Sequence, residues 1–138
     1  SNKEETKEKE KQSTKKYAKS GLNESQSKIL YANLKDIMQK ESVYKNGDLS
    51  ISELASKLGT NSNHLSQIIN EQEGKNFYDF INTYRVEEFI RLLQQPENKN
   101  YTLIALATDC GFNSKSSFNR YFKKHTGQTP SQYFATLS

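Results

Sequence analysis

The side chains able to react covalently or bind a metal are few. His64 and His125 lie far apart in sequence, and Cys110 is the single cysteine. One thiol cannot close an internal disulfide or assemble a zinc site, and neither a Gly-rich phosphate loop nor a metal-ligand spacing is present. Catalysis, a metal and a cofactor are therefore not expected. What the sequence does offer is two runs of hydrogen-bonding side chains that share one side of a helix. With a period of about 3.6 residues, Leu65, Ile68 and Ile69 fall together, leaving Asn63, Ser66, Gln67 and Asn70 outward. In a later run Phe118, Tyr121 and Phe122 face inward, leaving Lys115, Ser116, Asn119 and Arg120 outward. Such types match base edges: an Asn or Gln carboxamide pairs with adenine N6 and N7, the Arg fork with guanine O6 and N7, and Ser is permissive. A merely solvated polar face has a similar composition, and nothing basic lies among the first set.

These side chains need rigid carriers, and the sequence punctuates them. Asn23 followed by Gln26 forms a capping box, after which Ile29, Leu30, Leu34, Ile37 and Met38 fall on one stripe of a packing helix over about 24–41. Ser50 to Glu53 is a second capping box, opening a short helix that ends at Gly59. Another helix follows over about 62–72, stopped by Gly74. Asn76 caps a long helix to about Gln94, with Phe77, Phe80, Ile81, Tyr84, Phe89, Leu92 and Leu93 available for burial and Pro96 beyond its end. Thr102 then caps a short helix closed by Gly111, Asn113 or Ser114 starts one running to about His125, and Gly127 ends it. Thr129-Pro130 opens a last helix, with Gln132 completing its box. No segment alternates as a strand would, so an all-α fold is expected.

The later pattern repeats the earlier one. Leu54, Ala55 and Gly59 return as Leu106, Ala107 and Gly111 at a shift of 52 residues. Leu65, Ile69, Gly74 and Phe80 return as Phe118, Phe122, Gly127 and Tyr133 at a shift of 53, the extra residue falling in the turn after Gly111. Two copies of a two-helix unit explain this, since the period is too long and the copies too few for a helical solenoid. In each copy the small Ala lets two helices approach, and the Gly permits a left-handed turn between them. Leu54, Leu58, Leu65 and Ile68 lock the first pair. Cys110, matching Leu58, is expected in the core of the second.

Residues 103–134 contain Ile104-Ala105, Gly111-Phe112, Ser114, Ser117-Phe118, Arg120, Phe122-Lys123-Lys124, Gly127 and Thr129 to Tyr133, and this run closely resembles the signature of the AraC/XylS family. Leu54-Ala55, Gly59, His64 to Asn70 and Asn76-Phe77 resemble the family's first unit. The resemblance implies two helix-turn-helix units joined by a long helix, each placing its second helix in the major groove of double-stranded DNA. It implies base-reading positions at Asn63, Ser66 and Gln67 in the first unit and at Lys115, Ser116, Asn119 and Arg120 in the second. The segment from Lys16 to Glu41, with Tyr17 to Leu22 at its start, resembles the lead-in found where such domains terminate membrane-embedded or multidomain sensors. The expected organisation is thus a charged linker over 1–20, a lead-in helix over 21–45, and the double unit over 46–138. Within it the first unit covers about 50–74, the connecting helix 76–94, the second unit 102–127 and the final helix 130–137.

Charge placement bears on partners. The net charge of +4 divides into +3 over residues 1–20, −3 over 21–98 and +4 over 99–138, so the last third is the candidate for meeting phosphate. Lys123 and Lys124 near a helix end, and the N–H groups at the helix starts near Ser50, Thr102 and Thr129, are the candidate phosphate contacts. The absence of a long apolar run and the lone cysteine point to the cytoplasm, the cytoplasmic end of a membrane-anchored protein being a variant of that reading. The fragment itself is not expected to touch a membrane. Because the chain opens with Ser1-Asn2 and not Met, a longer parent with an upstream sensor or membrane domain is expected, with RNA polymerase a further partner to consider. The competing reading is a protein-interaction or oligomerisation module built on the aromatic helix from Phe77 to Leu93. Lys3 to Lys16 holds no apolar residue, so deleting residues 1–16 should leave the melting temperature nearly unchanged in a thermal denaturation scan.

Overall fold

The computed structural model describes residues 22–137, so the charged segment over residues 1–20 lies outside the described residues. Helix α1 spans Glu24–Lys40, α2 Ile51–Lys57, α3 Ser62–Glu73, α4 Phe77–Leu93, α5 Leu103–Asp109, α6 Lys115–Thr126 and α7 Pro130–Thr136. Short 3-10 turns lie at Val43–Lys45 and Pro96–Asn98, and there is no strand among the described residues. The fold is all-α.

Local chemistry sets where these helices begin. All seven start on an Asn, Ser or Thr whose side chain accepts the N–H three residues on: Asn23, Ser50, Asn61, Asn76, Thr102, Ser114 and Thr129. Each such cap stabilises its helix by about 1 kcal/mol. The reciprocal box forms at Asn23/Gln26 and Thr129/Gln132. At Ser50 it is half formed, because Ser50 Oγ accepts from the Glu53 N–H at 3.1 Å while the Glu53 carboxylate makes no return bond. Ser42 is left-handed at φ 49°, a conformation uncommon without glycine, and there the chain turns sharply out of α1.

Two cores form, and α4 serves both. Its N-terminal half gives Phe77, Phe80 and Ile81 to a cluster with Leu34, Met38, Leu54, Leu65 and Ile69. Its C-terminal half gives Val86 and Phe89 to a cluster with Leu106, Cys110, Phe118 and Phe122. Phe89 anchors the second cluster, with its ring centroid 4.7 Å from that of Phe118 and 5.5 Å from that of Phe122. On α1 the inward stripe is Ser27, Leu30, Leu34 and Met38, while Ile29, expected inward, is 62% exposed. One position before Leu30 is a rotation of about 100° along a helix, which carries Ile29 off the packed face.

Between the two cores lies a polar seam. Arg85, near the middle of α4 and only 7% exposed, donates from Nε to the Tyr44 carbonyl at 2.7 Å and from Nη2 to the Asn46 carbonyl at 3.0 Å. Its Nη1 donates to Asn82 Oδ1 at 2.8 Å. Burial pulls the guanidinium below its ordinary pKa, yet Arg remains charged at any physiological pH. Gly111 packs directly against this seam at φ 112°, where a Cβ would collide with the Tyr44 carbonyl and come within 2.7 Å of Arg85 Nε. Asn113 closes the edge, donating from Nδ2 to the Gly47 carbonyl at 2.9 Å and to Asp48 at 3.1 Å.

Gly59 and Gly111 end the same helix in the two copies but differ in surroundings. At Gly59, φ is 71° and a Cβ would meet nothing within 4 Å. Gly59→Ala should therefore cost only the left-handed strain, about 1–2 kcal/mol, and Gly59→Val more. Gly111→Ala adds the collision with backbone and should lower the urea midpoint clearly further than Gly59→Ala does.

Candidate nucleic-acid interface

The two helix pairs are built by the same backbone bonds. In the first, the Thr60 N–H donates to the Ala55 carbonyl at 2.9 Å and the Gly59 N–H to Ser56 at 3.1 Å. In the second, the Phe112 N–H donates to Ala107 at 3.1 Å and the Gly111 N–H to Thr108 at 3.0 Å. The caps Ser50, Asn61 and Asn76 correspond to Thr102, Ser114 and Thr129, at the shifts read from the repeat. Each turn delivers a 12-residue helix, α3 or α6, whose apolar side is buried in its own unit.

On α3, Leu65, Ile68 and Ile69 are fully buried, while Asn63, Ser66 and Asn70 are exposed. Gln67 is half-buried, and its Nε2 donates to Glu71 Oε1 at 3.2 Å. The first three base-reading candidates thus share one face. A brace from α1 steadies this helix: Tyr31 Oη donates to Glu73 at 2.7 Å. That bond to a carboxylate, with burial, pushes the Tyr31 phenol up to about 12, so it stays a neutral donor.

On α6, Lys115, Ser116, Asn119 and Arg120 are all exposed, and Phe118 and Phe122 are buried. The second set therefore also shares a face. Arg120 lies over the Tyr121 ring, 5.0 Å from its centroid, a stacking that leaves the edge of the guanidinium fork to donate. Tyr121 itself is half-buried.

The phosphate candidates do not stand alike. Lys123 is exposed, whereas Lys124 turns towards α4, with Nζ 2.9 Å from Asp79 Oδ2. With Lys75, Tyr121 and His125 it lines a cleft between the units. The side chains of Ser50, Thr102 and Thr129 are engaged as caps, each taking the N–H of the third helical residue. At Thr129 the first helical residue, Pro130, has no N–H to give. Cys110 is fully buried, and burial pushes its thiol up to about 12, so no thiolate nucleophile is available near neutral pH.

Two features of this surface were absent from the sequence reading. Glu71 sits one helical turn beyond Gln67, a spacing at which side chains meet and which was legible beforehand. The Arg85 seam depends on contacts some 40 residues apart in the chain and had no local signal.

A family model described as a helix-turn-helix domain matches residues 54–136, well over half of the chain. The chain belongs to the AraC/XylS family. Among its relatives, an uncharacterized HTH-type transcriptional regulator of Staphylococcus aureus (strain COL) is 41% identical over 86 residues, which are 62% of this chain and 11% of that protein. The chain thus spans about a tenth of the length of the staphylococcal relatives it matches. The probable transcription factor PqrA of Proteus vulgaris is 29% identical over 89 residues, 64% of this chain and 70% of PqrA. Among solved structures, the C-terminal domain of the two-component response regulator YesN from Fusobacterium nucleatum is similar with a TM-score of 0.59 at 33% identity, covering 74% of this chain and 98% of that one. AraC/XylS proteins are DNA-binding transcription regulators and not enzymes. Among the described residues no helix is long and apolar enough to cross a membrane, and no group of His, Cys, Asp and Glu is placed to hold a metal ion.

Proposed function

We propose that this chain is the sequence-specific output domain of a longer bacterial regulator, and that α3 and α6 are its two recognition helices. Each would enter one of two successive major-groove segments on one side of the duplex. The observation that carries the reading is that both units close with the same turn bonds and each leaves one polar helix face exposed. In the first unit Asn63, Ser66 and Gln67 would read base edges; in the second Lys115, Ser116, Asn119 and Arg120 would do so. Lys123 is the freest of the phosphate candidates, because Lys124 must give up Asp79 to reach DNA. Ser50, Thr102 and Thr129 would contribute through the helix starts they cap. An upstream sensor in the parent protein would supply the signal.

The competing module reading loses its surface. The apolar residues of α4 are used in the two cores, leaving Tyr78 as its one exposed large apolar side chain.

The spacing of the units bears on the site. The 17 residues of α4 make a rod of about 26 Å at ~1.5 Å per residue, against a groove repeat of about 34 Å. With the width of the units added, both helices would reach adjacent grooves, any shortfall being closed by bending of the duplex, since Asn113 and the Lys124 to Asp79 pair tie the second unit in place. The units are tandem copies with different outward residues, so one monomer should read two unlike half-sites about ten base pairs apart, without a palindrome.

The test starts from a site selected out of random DNA. Arg120→Ala should cost about 1–3 kcal/mol at that site and relax one base pair, and Gln67→Ala should do the same at a pair about one helical turn away. Equal losses on every sequence would make either residue a phosphate contact instead. Inserting about five base pairs between the half-sites turns one of them to the far face of the duplex. Footprints should then shrink to a single half-site, and unchanged affinity would mean that only one unit engages DNA.

A further inference from the structure

Beside the outward amides of α3 stands one half-buried charged side chain, and the charge has the wrong sign for DNA. Glu71 is half-buried, accepts from Gln67 Nε2 through Oε1 at 3.2 Å, and has a buried Oε2 without a hydrogen-bond partner. The other acid of this helix, Glu73, is occupied by Tyr31. A carboxylate beside a face that meets DNA would lower affinity for every sequence, and the bond to Gln67 gives this one an effect on something other than affinity.

That effect follows from donor and acceptor counts. An ionised carboxylate only accepts, so the nitrogen end of the Gln67 amide must face Glu71, and the reversed amide would set oxygen against oxygen. The nitrogen has two hydrogens. One given to Glu71 leaves one N–H and the carbonyl oxygen, the donor and acceptor pair that adenine N7 and N6 require. Without Glu71 the amide can turn over, present nitrogen where oxygen stood, and must be ordered at the moment of binding. Arg120 has no such ambiguity, since a guanidinium only donates.

We propose that Glu71 is a positioning residue that sets the base preference of the first unit by holding the Gln67 amide in the orientation that reads adenine. The inference rests on Gln67 reading a base. Its test measures the affinity of the 138-residue chain for its selected site with all four base pairs substituted, in turn, at the Gln67 and Arg120 positions. Glu71→Ala should tighten binding to every sequence while reducing the preference for adenine at the Gln67 position by about 3- to 10-fold, leaving the Arg120 position unchanged. Glu71→Gln removes the charge, keeps the size and accepts either end of the amide, so it should give the same tightening with an intermediate preference. On a Gln67→Ala background, Glu71→Ala should alter affinity alone.

Three results overturn the proposal. In the first, preference at the Gln67 position is unchanged in both Glu71 variants although Gln67→Ala abolishes it, and only the positioning role falls. In the second, preference is lost equally at the Arg120 position, as damage to the fold would cause. In the third, Gln67→Ala leaves every preference intact, so that the base-reading role fails and this one with it.

Discussion

Arg85 holds three neutral acceptors in a seam that water barely reaches, and two of the three are backbone carbonyls from a turn some 40 residues earlier. Burying a cation costs several kcal/mol, and hydrogen bonds from a charged donor return about 1.5–3 kcal/mol each, so the two nearly offset. What remains is geometry. The same turn is held a second time, since Tyr44 Oη donates to Glu88 at 3.1 Å and Lys45 Nζ lies 4.0 Å from the same carboxylate. Tyr44 thus joins the first core by its ring and α4 by its carbonyl and hydroxyl. Gly111 has to be glycine so that the second unit can close against this seam. An apolar seam of equal stability would have let the turn slide along α4, whereas directional bonds admit one relative placement.

The sequence disclosed what is locally determined. Helix starts were legible because a cap is a bond between residues three apart, and their ends because Gly59, Gly74, Gly111 and Gly127 take positive φ. The outward sets on α3 and α6 were legible because helical period alone separates Leu65 and Phe118 from Gln67 and Arg120. The errors have the opposite character. The Ser50 box pattern does not ensure that the Glu53 side chain turns back, since Glu53 is exposed and equally well solvated by water. Ile29 was assigned inward because it is apolar, but the neighbours of α1 leave that side open, and Ser27 is the residue they cover. Arg85 reads as an ordinary helical surface cation until the turn at Val43–Lys45 is laid across it.

The two outward helix faces are alike in framework and unlike in charge. On α6 Lys115, Arg120 and Lys123 supply attraction at long range and one forked donor at short range; on α3 Asn63, Ser66 and Gln67 supply none of the first. On the proposed reading, counterion release and steering would fall to the second unit, and the first would contribute discrimination that depends little on salt. Such a division works only if the second unit's attraction brings the first into register without a further search, which requires that the units not move independently.

That requirement returns to the seam. If the units were flexibly joined, binding of α6 would raise the local concentration of α3 near DNA but leave its orientation to be fixed at entropic cost. With Asn113 bonded to Gly47 and Asp48, and Lys124 paired with Asp79, the second unit is tied to the turn after α1 and to α4, so on the proposed reading the orientation would be set before contact. The burden of adjustment would then pass to the duplex, whose bending energy depends on its own sequence. On that reading a rigid pair of unlike readers would gain selectivity at base pairs that neither helix touches, because the steps between the half-sites would have to be ones that bend.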